Sequence, residues 1–221
     1  MLNLARGWHY LTTRGVAYLF QESLYRATNS LCELSFGVQT AGRIPLCEVG
    51  LTCEDWHEYA PMGYWAIFSA LLKVPLPIGC MSVLDFGSGK GRPLIVAGAM
   101  GIEQAIGVDI VPAFNEIARQ NLAGMRGRRS QTQIIEHDAA TFRIPDHVNL
   151  VYLANSFSGE TLAAMLENIR ASHFRCPREL YMLCFNTRIF DTHVCGLKWI
   201  QNIRAAHYYP DFTCGIYRIG G

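Results

Sequence analysis

Asp85-Phe86-Gly87-Ser88-Gly89-Lys90-Gly91 follows directly on the apolar run that begins at Val83, and a stretch rich in Leu, Ile, Val and Ala runs on from Pro93 to Met100. The order is strand, glycine turn, helix. In an open α/β sheet that order places a ligand outside the carboxyl end of the strand. Gly87 and Gly89 let the backbone turn sharply and approach a ligand with no Cβ in the way. Asp85, at the strand end, offers a carboxylate to a ligand's polar head, including a cationic amine. Asp109 stands 24 residues further on, at the end of a second strand, Ala105–Val108. A carboxylate there accepts hydrogen bonds from both hydroxyls of a ribose. The spacing is G-x-G-x-G, not the dinucleotide pattern G-x-G-x-x-G, and Arg92 takes the place of the third glycine. With an acidic residue two positions before the first glycine, this suits a ligand with a charged amino-acid tail better than a pyrophosphate. Lys90 is followed by Gly91 rather than Ser or Thr, which excludes the phosphate-binding loop.

Downstream, strands and helices continue to alternate. Pro112 to Met125 reads as a helix with Phe114, Ile117 and Leu122 on one face, and Gln133–Ile135 as a third strand. Leu150–Ala154 is a fourth strand, Thr161 to Ser172 a helix with Leu162, Met165, Leu166 and Ile169 at core spacing, and Leu180–Phe185 a fifth strand. This alternation predicts βαβ units and a parallel, doubly wound sheet. Trp199 to Ala206 and Cys214 to Ile219, across a loop with Pro210, predict a closing antiparallel hairpin. Upstream, residues 1–40 read as a helical extension with an imperfect apolar face at Leu11, Tyr18, Leu19, Leu24 and Tyr25, ending before Phe36-Gly37. Residues 41–58 are loop-like. Pro61 fits the first position of a helix that carries Trp65, Ile67, Phe68, Leu71 and Leu72 inward. Residues 1–58 are thus expected to form an N-terminal extension or lid, and residues 59–221 the main domain.

Composition sets limits on function. Half of the 221 residues are hydrophobic and 17% are charged, so a sizeable core is expected. The net charge of +1 argues against a dedicated nucleic-acid binder, and Arg126, Arg128 and Arg129 read as a solvated loop. None of the eight cysteines forms a C-x-x-C pair, so no metal site is expected and the thiols are read as free. No apolar stretch is long enough for a membrane span, and the N-terminus lacks the pattern of a secretory signal. The expected location is cytoplasmic.

Asp85 to Asp109 resembles the first two motifs of the class I S-adenosylmethionine-dependent methyltransferases. The longer string Asp85 to Arg92 is similar to a bacterial subgroup with the motif D-x-G-S-G-K-G-R. Phe36-Gly37-Val38-Gln39-Thr40 resembles that subgroup's F-G-V-D-T element, with Gln39 where Asp is usual, and Tyr59-Ala60-Pro61 its Y-x-P element. The resemblance spans roughly residues 35–219. It implies a Rossmann-like, seven-stranded, mostly parallel sheet with a C-terminal antiparallel hairpin, and S-adenosylmethionine as the cofactor. The implied cofactor contacts are Asp85, Gly87, Ser88, Gly89, Gly91, Asp109, Ile110 and Asp138, the last toward the adenine amino group. Tyr59 would reach over the cofactor, unless it is a buried aromatic with a bonded hydroxyl.

Asn155-Ser156-Phe157 stands where such enzymes carry the motif beside the transferred methyl. In amino-group methyltransferases the Asn oxygen and neighbouring backbone carbonyls accept hydrogen bonds from the acceptor amine. Asn155 is expected to align the acceptor and Phe157 to wall the site, with Asn155 as a helix cap the competing reading. Ser156 departs from the subgroup's proline and from the N-P-P-Y type of the amine enzymes. The expected activity is methyl transfer to the N or O nucleophile of a small molecule, as in a biosynthetic pathway. The alternatives are a protein lysine methyltransferase, on the N-x-F likeness to the non-SET class, and a binding protein without catalysis. Trp8, Tyr10, Tyr18, Phe20 and Tyr25 would line a lid over an apolar pocket, or only pack.

Overall fold

The computed structural model describes residues 4–208 and 212–220. Seven strands form one sheet: β1 (Ser82–Phe86), β2 (Gln104–Asp109), β3 (Gln131–Glu136), β4 (Leu150–Ala154), β5 (Leu180–Phe185), β6 (Ile200–Tyr208) and β7 (Phe212–Ile219). Their order is β3-β2-β1-β4-β5-β7-β6. The first five are parallel, and β7 runs antiparallel between β5 and β6. This is the Rossmann-like methyltransferase fold expected from the sequence. Chain order reverses between β1 and β4, so the switch point where such sheets bind ligands lies at their carboxyl ends.

The central strands are mostly apolar because both faces are covered: every residue of β1 and β5 is buried, Ser82 and Asp85 included. Helices α1 (Leu4–Phe36), α2 (Tyr64–Leu71), α3 (Arg92–Met100) and α4 (Pro112–Gly124) contribute to the core on one face. Helix α5 (Gly159–Arg175), with α6 (Thr187–Val194), covers the other through Leu162, Met165, Leu166, Ile169 and Phe190. Strand β6 is largely exposed and polar and carries a bulge between Asn202 and Arg204, both of which discourage edge-to-edge pairing.

Several local expectations are corrected. Pro61 does not start α2; Gly63 is its N-cap, and the ring of Tyr25 fills the space that a Cβ on Gly63 would need. The helix buries Tyr64, Ile67 and Leu71, whereas Trp65 is 76% exposed and Leu72 is also outside. Leu24 is exposed too, and α1 is anchored mainly by its last two turns, where Cys32 and Phe36 pack against the core. Helix α6 was not expected at all. The side chains of Trp8, Tyr10, Leu11 and Tyr18, and the Pro210 loop, lie outside the described residues. Among the described residues no helix is long and apolar enough to cross a membrane, and the eight cysteines are free, Cys184 and Cys214 being buried.

Candidate active site

The glycine turn leaves β1 at Phe86. Gly87 and Gly89 both adopt positive φ, at 72° and 53°. A Cβ on Gly87 would meet the Ser156 side chain, and one on Gly89 would run into the Tyr59 ring. The turn is therefore packed from two directions by segments distant in sequence. Gly89 N–H donates to Asp109 Oδ2 at 2.8 Å, and Val111 N–H to Oδ1 at 2.9 Å. Each carboxylate oxygen of Asp109 keeps a lone pair for a ligand. Burial raises the pKa of Asp109, and the backbone N–H groups of Val111, Gly89 and Ile110 oppose that rise.

Asp85 is 1% exposed, and its Oδ2 is enclosed without a hydrogen-bond partner. Burial pushes its carboxyl well above the usual carboxylate range, and Asp109 adds to the push. The β1–β4 register sets Asp85 beside Tyr152, whose hydroxyl is also buried and unpartnered. The hydroxyl of Ser88 is a third. Orphaned polar groups of this kind are costly unless something else completes them. At the floor of a cleft they fit the ammonium and carboxylate of an amino-acid tail.

The cleft encloses about 870 Å³ of empty space, open mouth included. Of the eleven residues expected at the site, ten line it; Gly91 instead faces Ala118 at the start of α3. Asp138 is half-buried at the wall, with Oδ1 accepting from Ala140 N–H at 2.8 Å. Tyr59 donates its hydroxyl proton to the Thr40 carbonyl at 2.7 Å, and its ring packs at a tilt against Phe114 at 5.2 Å with Lys90 Nζ 5.0 Å from its centroid. Burial raises the Tyr59 pKa further, so it stays a neutral donor.

At the far end, Asn155 takes a left-handed conformation (φ 55°), which Asn tolerates better than most residues. Its side-chain amide makes no hydrogen bond to the described residues. It does not cap α5; Asp55 does, accepting Thr161 N–H at Oδ2 (3.2 Å). The segment around Asp55 is clamped onto the Asn155 loop. Ser158 N–H donates to the Asp55 carbonyl at 2.8 Å, His57 N–H to the Ser156 carbonyl at 3.1 Å, and Trp56 bridges Phe157. His57 Nδ1 lies 2.8 Å from the Asn155 carbonyl.

Sequence reasoning missed Tyr152, Trp56 and the clamp, whose partners lie about a hundred positions apart. It also missed the role of Arg92. That side chain is 4% exposed and donates to Thr40 Oγ1 (2.7 Å), Met62 O (2.9 Å), Asn29 Oδ1 (3.2 Å) and Glu33 Oε1 (3.0 Å). It stacks over Tyr64 at 4.5 Å. Gln39 engages Asn121 only through its backbone, and its side chain is exposed, so the usual Asp is not needed for that contact.

Residues 83–172 match the model of a family described as a methyltransferase domain. Among solved structures, an RNA methyltransferase from Salinibacter ruber in complex with S-adenosyl-L-homocysteine is similar at 15% identity and TM-score 0.58, over 73% of this chain and 94% of that one. A magnesium protoporphyrin IX methyltransferase from Synechocystis PCC 6803 with bound S-adenosylmethionine is similar at 15% identity and TM-score 0.51, over 71% and 77%. A ribosomal protein L11 methylase from Lactobacillus delbrueckii subsp. bulgaricus is similar at 13% identity and TM-score 0.52, over 72% and 77%. No curated protein matches the chain. The match to a methyltransferase domain covers the stretch that holds the glycine turn and the acidic strand ends, and the protein is an enzyme of the S-adenosylmethionine-dependent class.

Proposed function

We propose that the cleft transfers a methyl group from S-adenosylmethionine to a nucleophile on a small molecule, with Asp85, Asp109 and Asn155 in the leading roles. The observation that carries this reading is the buried Asp85 Oδ2 without a partner, at the floor of a cleft turned by glycines. Asp85 with Tyr152 would hold the amino-acid tail, Asp109 the ribose, and Ile110 and Asp138 the adenine side. Gly87, Ser88 and Gly89 form the cradle. When bound, the cofactor supplies an activated methyl carbon, so the protein's contribution is placement and exclusion of water. Asn155, with its amide free, would align the acceptor, while Phe157 and Tyr59 wall the reacting centre.

A small acceptor is supported by the shape of the far end of the cleft. Leu46, Leu51, Trp56 and Phe157 make it apolar, and the segment clamped over it narrows the approach, as sites for small molecules are enclosed and largely apolar. Residues 1–58 then act through their last part, which covers the cleft, as an extension of a domain at 59–221. The motif from Asp85 to Arg92 supports the D-x-G-S-G-K-G-R subgroup, and a cytoplasmic location is proposed with it.

Calorimetry tests the cofactor site. S-adenosylhomocysteine should bind the parent, and Asp109→Ala should weaken it by roughly 2–4 kcal/mol, since two charge-assisted hydrogen bonds are lost. Equal affinity in the two proteins would overturn the ribose assignment.

A further inference from the structure

We propose that His57 is the general base of this enzyme and that its acceptor is an apolar molecule bearing a hydroxyl, of the phenol class. The inference rests on the proposed methyl transfer and names its nucleophile.

The Asn155 carbonyl can only accept a hydrogen bond, so the contact at 2.8 Å requires a proton on His57 Nδ1. In the neutral imidazole this leaves the lone pair on Nε2, which has no partner among the described residues. His57 lines the cleft beside Asn155, Ser156 and Phe157. Its backbone N–H is held as well, by the Ser156 carbonyl at 3.1 Å, which fixes the segment that carries the ring. A base whose tautomer and orientation are set by a backbone carbonyl is pre-organised to take a proton.

The same contacts argue against an amine. The backbone carbonyls of Asn155 and Ser156, which stand where an acceptor amine would be gripped, are both engaged by His57. The surroundings, with Trp56 and Phe157 at the wall, suit a flat apolar ring. In the step, the acceptor oxygen forms a bond to the methyl carbon as the carbon–sulfur bond breaks and its electron pair stays on sulfur. The hydroxyl proton passes to His57 Nε2 and then to solvent.

The test compares two probe phenols. 4-Ethylphenol has a hydroxyl that ionises like tyrosine, near about pH 10, and needs a base at neutral pH. 4-Nitrophenol is already about half ionised at neutral pH and mostly ionised near about pH 8, where both probes are assayed, and does not. His57→Asn keeps an N–H for the Asn155 carbonyl but has no basic nitrogen. It should slow methylation of 4-ethylphenol by roughly 10²–10⁴-fold and leave 4-nitrophenol nearly unaffected. Equal losses on both phenols, or none on either, would overturn the role of His57. If neither phenol is methylated while S-adenosylhomocysteine still binds, the acceptor class is wrong. If S-adenosylhomocysteine does not bind the parent, the underlying reading fails instead. Nitrogen NMR of the parent gives a readout independent of any variant: His57 should carry its neutral proton on Nδ1, and a proton on Nε2 would sink the proposal.

Discussion

Asp85 illustrates a conflict between stability and ligand binding at the scale of one residue. Its folded-state pKa is raised by burial and by Asp109, so the folded chain holds a proton that the unfolded chain releases. Stability associated with that proton is complete below the unfolded pKa, about 3.9, and is lost as pH rises toward the folded value. Asp85→Asn removes the ionisation. The variant should therefore melt above the parent at pH 7 without ligand, with the gap narrowing toward about pH 4, while its affinity for S-adenosylhomocysteine falls. Thermal scans across that range check the sign; a variant less stable than the parent at pH 7 would show that something in the empty cleft already compensates Asp85.

At the scale of elements, Arg92 is the joint between the glycine turn and the N-terminal helix. It begins α3 and reaches α1 through Glu33 and Asn29, as well as Thr40 and Met62 in the following chain. Glu33 in turn accepts from Thr40 N–H at 2.8 Å and Thr40 Oγ1–H at 2.6 Å. Removing one partner of a buried ion pair leaves the other uncompensated, at a cost of about 3–5 kcal/mol. Arg92→Ala should lose about that much in urea unfolding. Hydrogen exchange should show faster exchange in the last turns of α1, with β4 and β5 still protected. Uniform loss of protection would instead make α1 part of the same cooperative unit as the sheet. The last part of the D-x-G-S-G-K-G-R string is thus largely structural: Gly91 packs toward Ala118 and does not line the cleft, while Arg92 reaches the cleft wall but spends its guanidinium on α1 and the chain that follows it.

At the scale of the whole molecule, the strand order puts the Asp85, Asp109 and Asn155 ends on one edge of the sheet, across the β1–β4 switch point. A ligand there touches several elements of the fold and none of its interactions survive in the unfolded chain. S-adenosylhomocysteine at about a hundred times its Kd should stabilise the fold by about 2.7 kcal/mol. For a chain of this size that corresponds to a melting rise of roughly 5–10 °C. A thermal shift that rises with ligand concentration is the expected result, and an unmoved melting point at saturating ligand would remove the cleft as a binding site.

The strands, the glycine turn and the acidic residues at the strand ends were legible in the sequence because each depends on neighbours close in the chain. Val83–Phe86 is apolar except for Asp85 because the sheet is covered on both faces, and the turn must follow it at once. The same holds for α5, whose core face repeats every three to four residues. Tertiary structure alone decided the rest. Which face of α2 is buried depended on the core it packs against, which takes Tyr64, Ile67 and Leu71 and leaves Trp65 outward. Asp55 caps a helix 106 residues away in sequence, and His57 acquires a defined tautomer from a carbonyl 98 residues away. No local pattern encodes such contacts, because a hydrogen bond across the cleft constrains two positions only after the fold has brought them together.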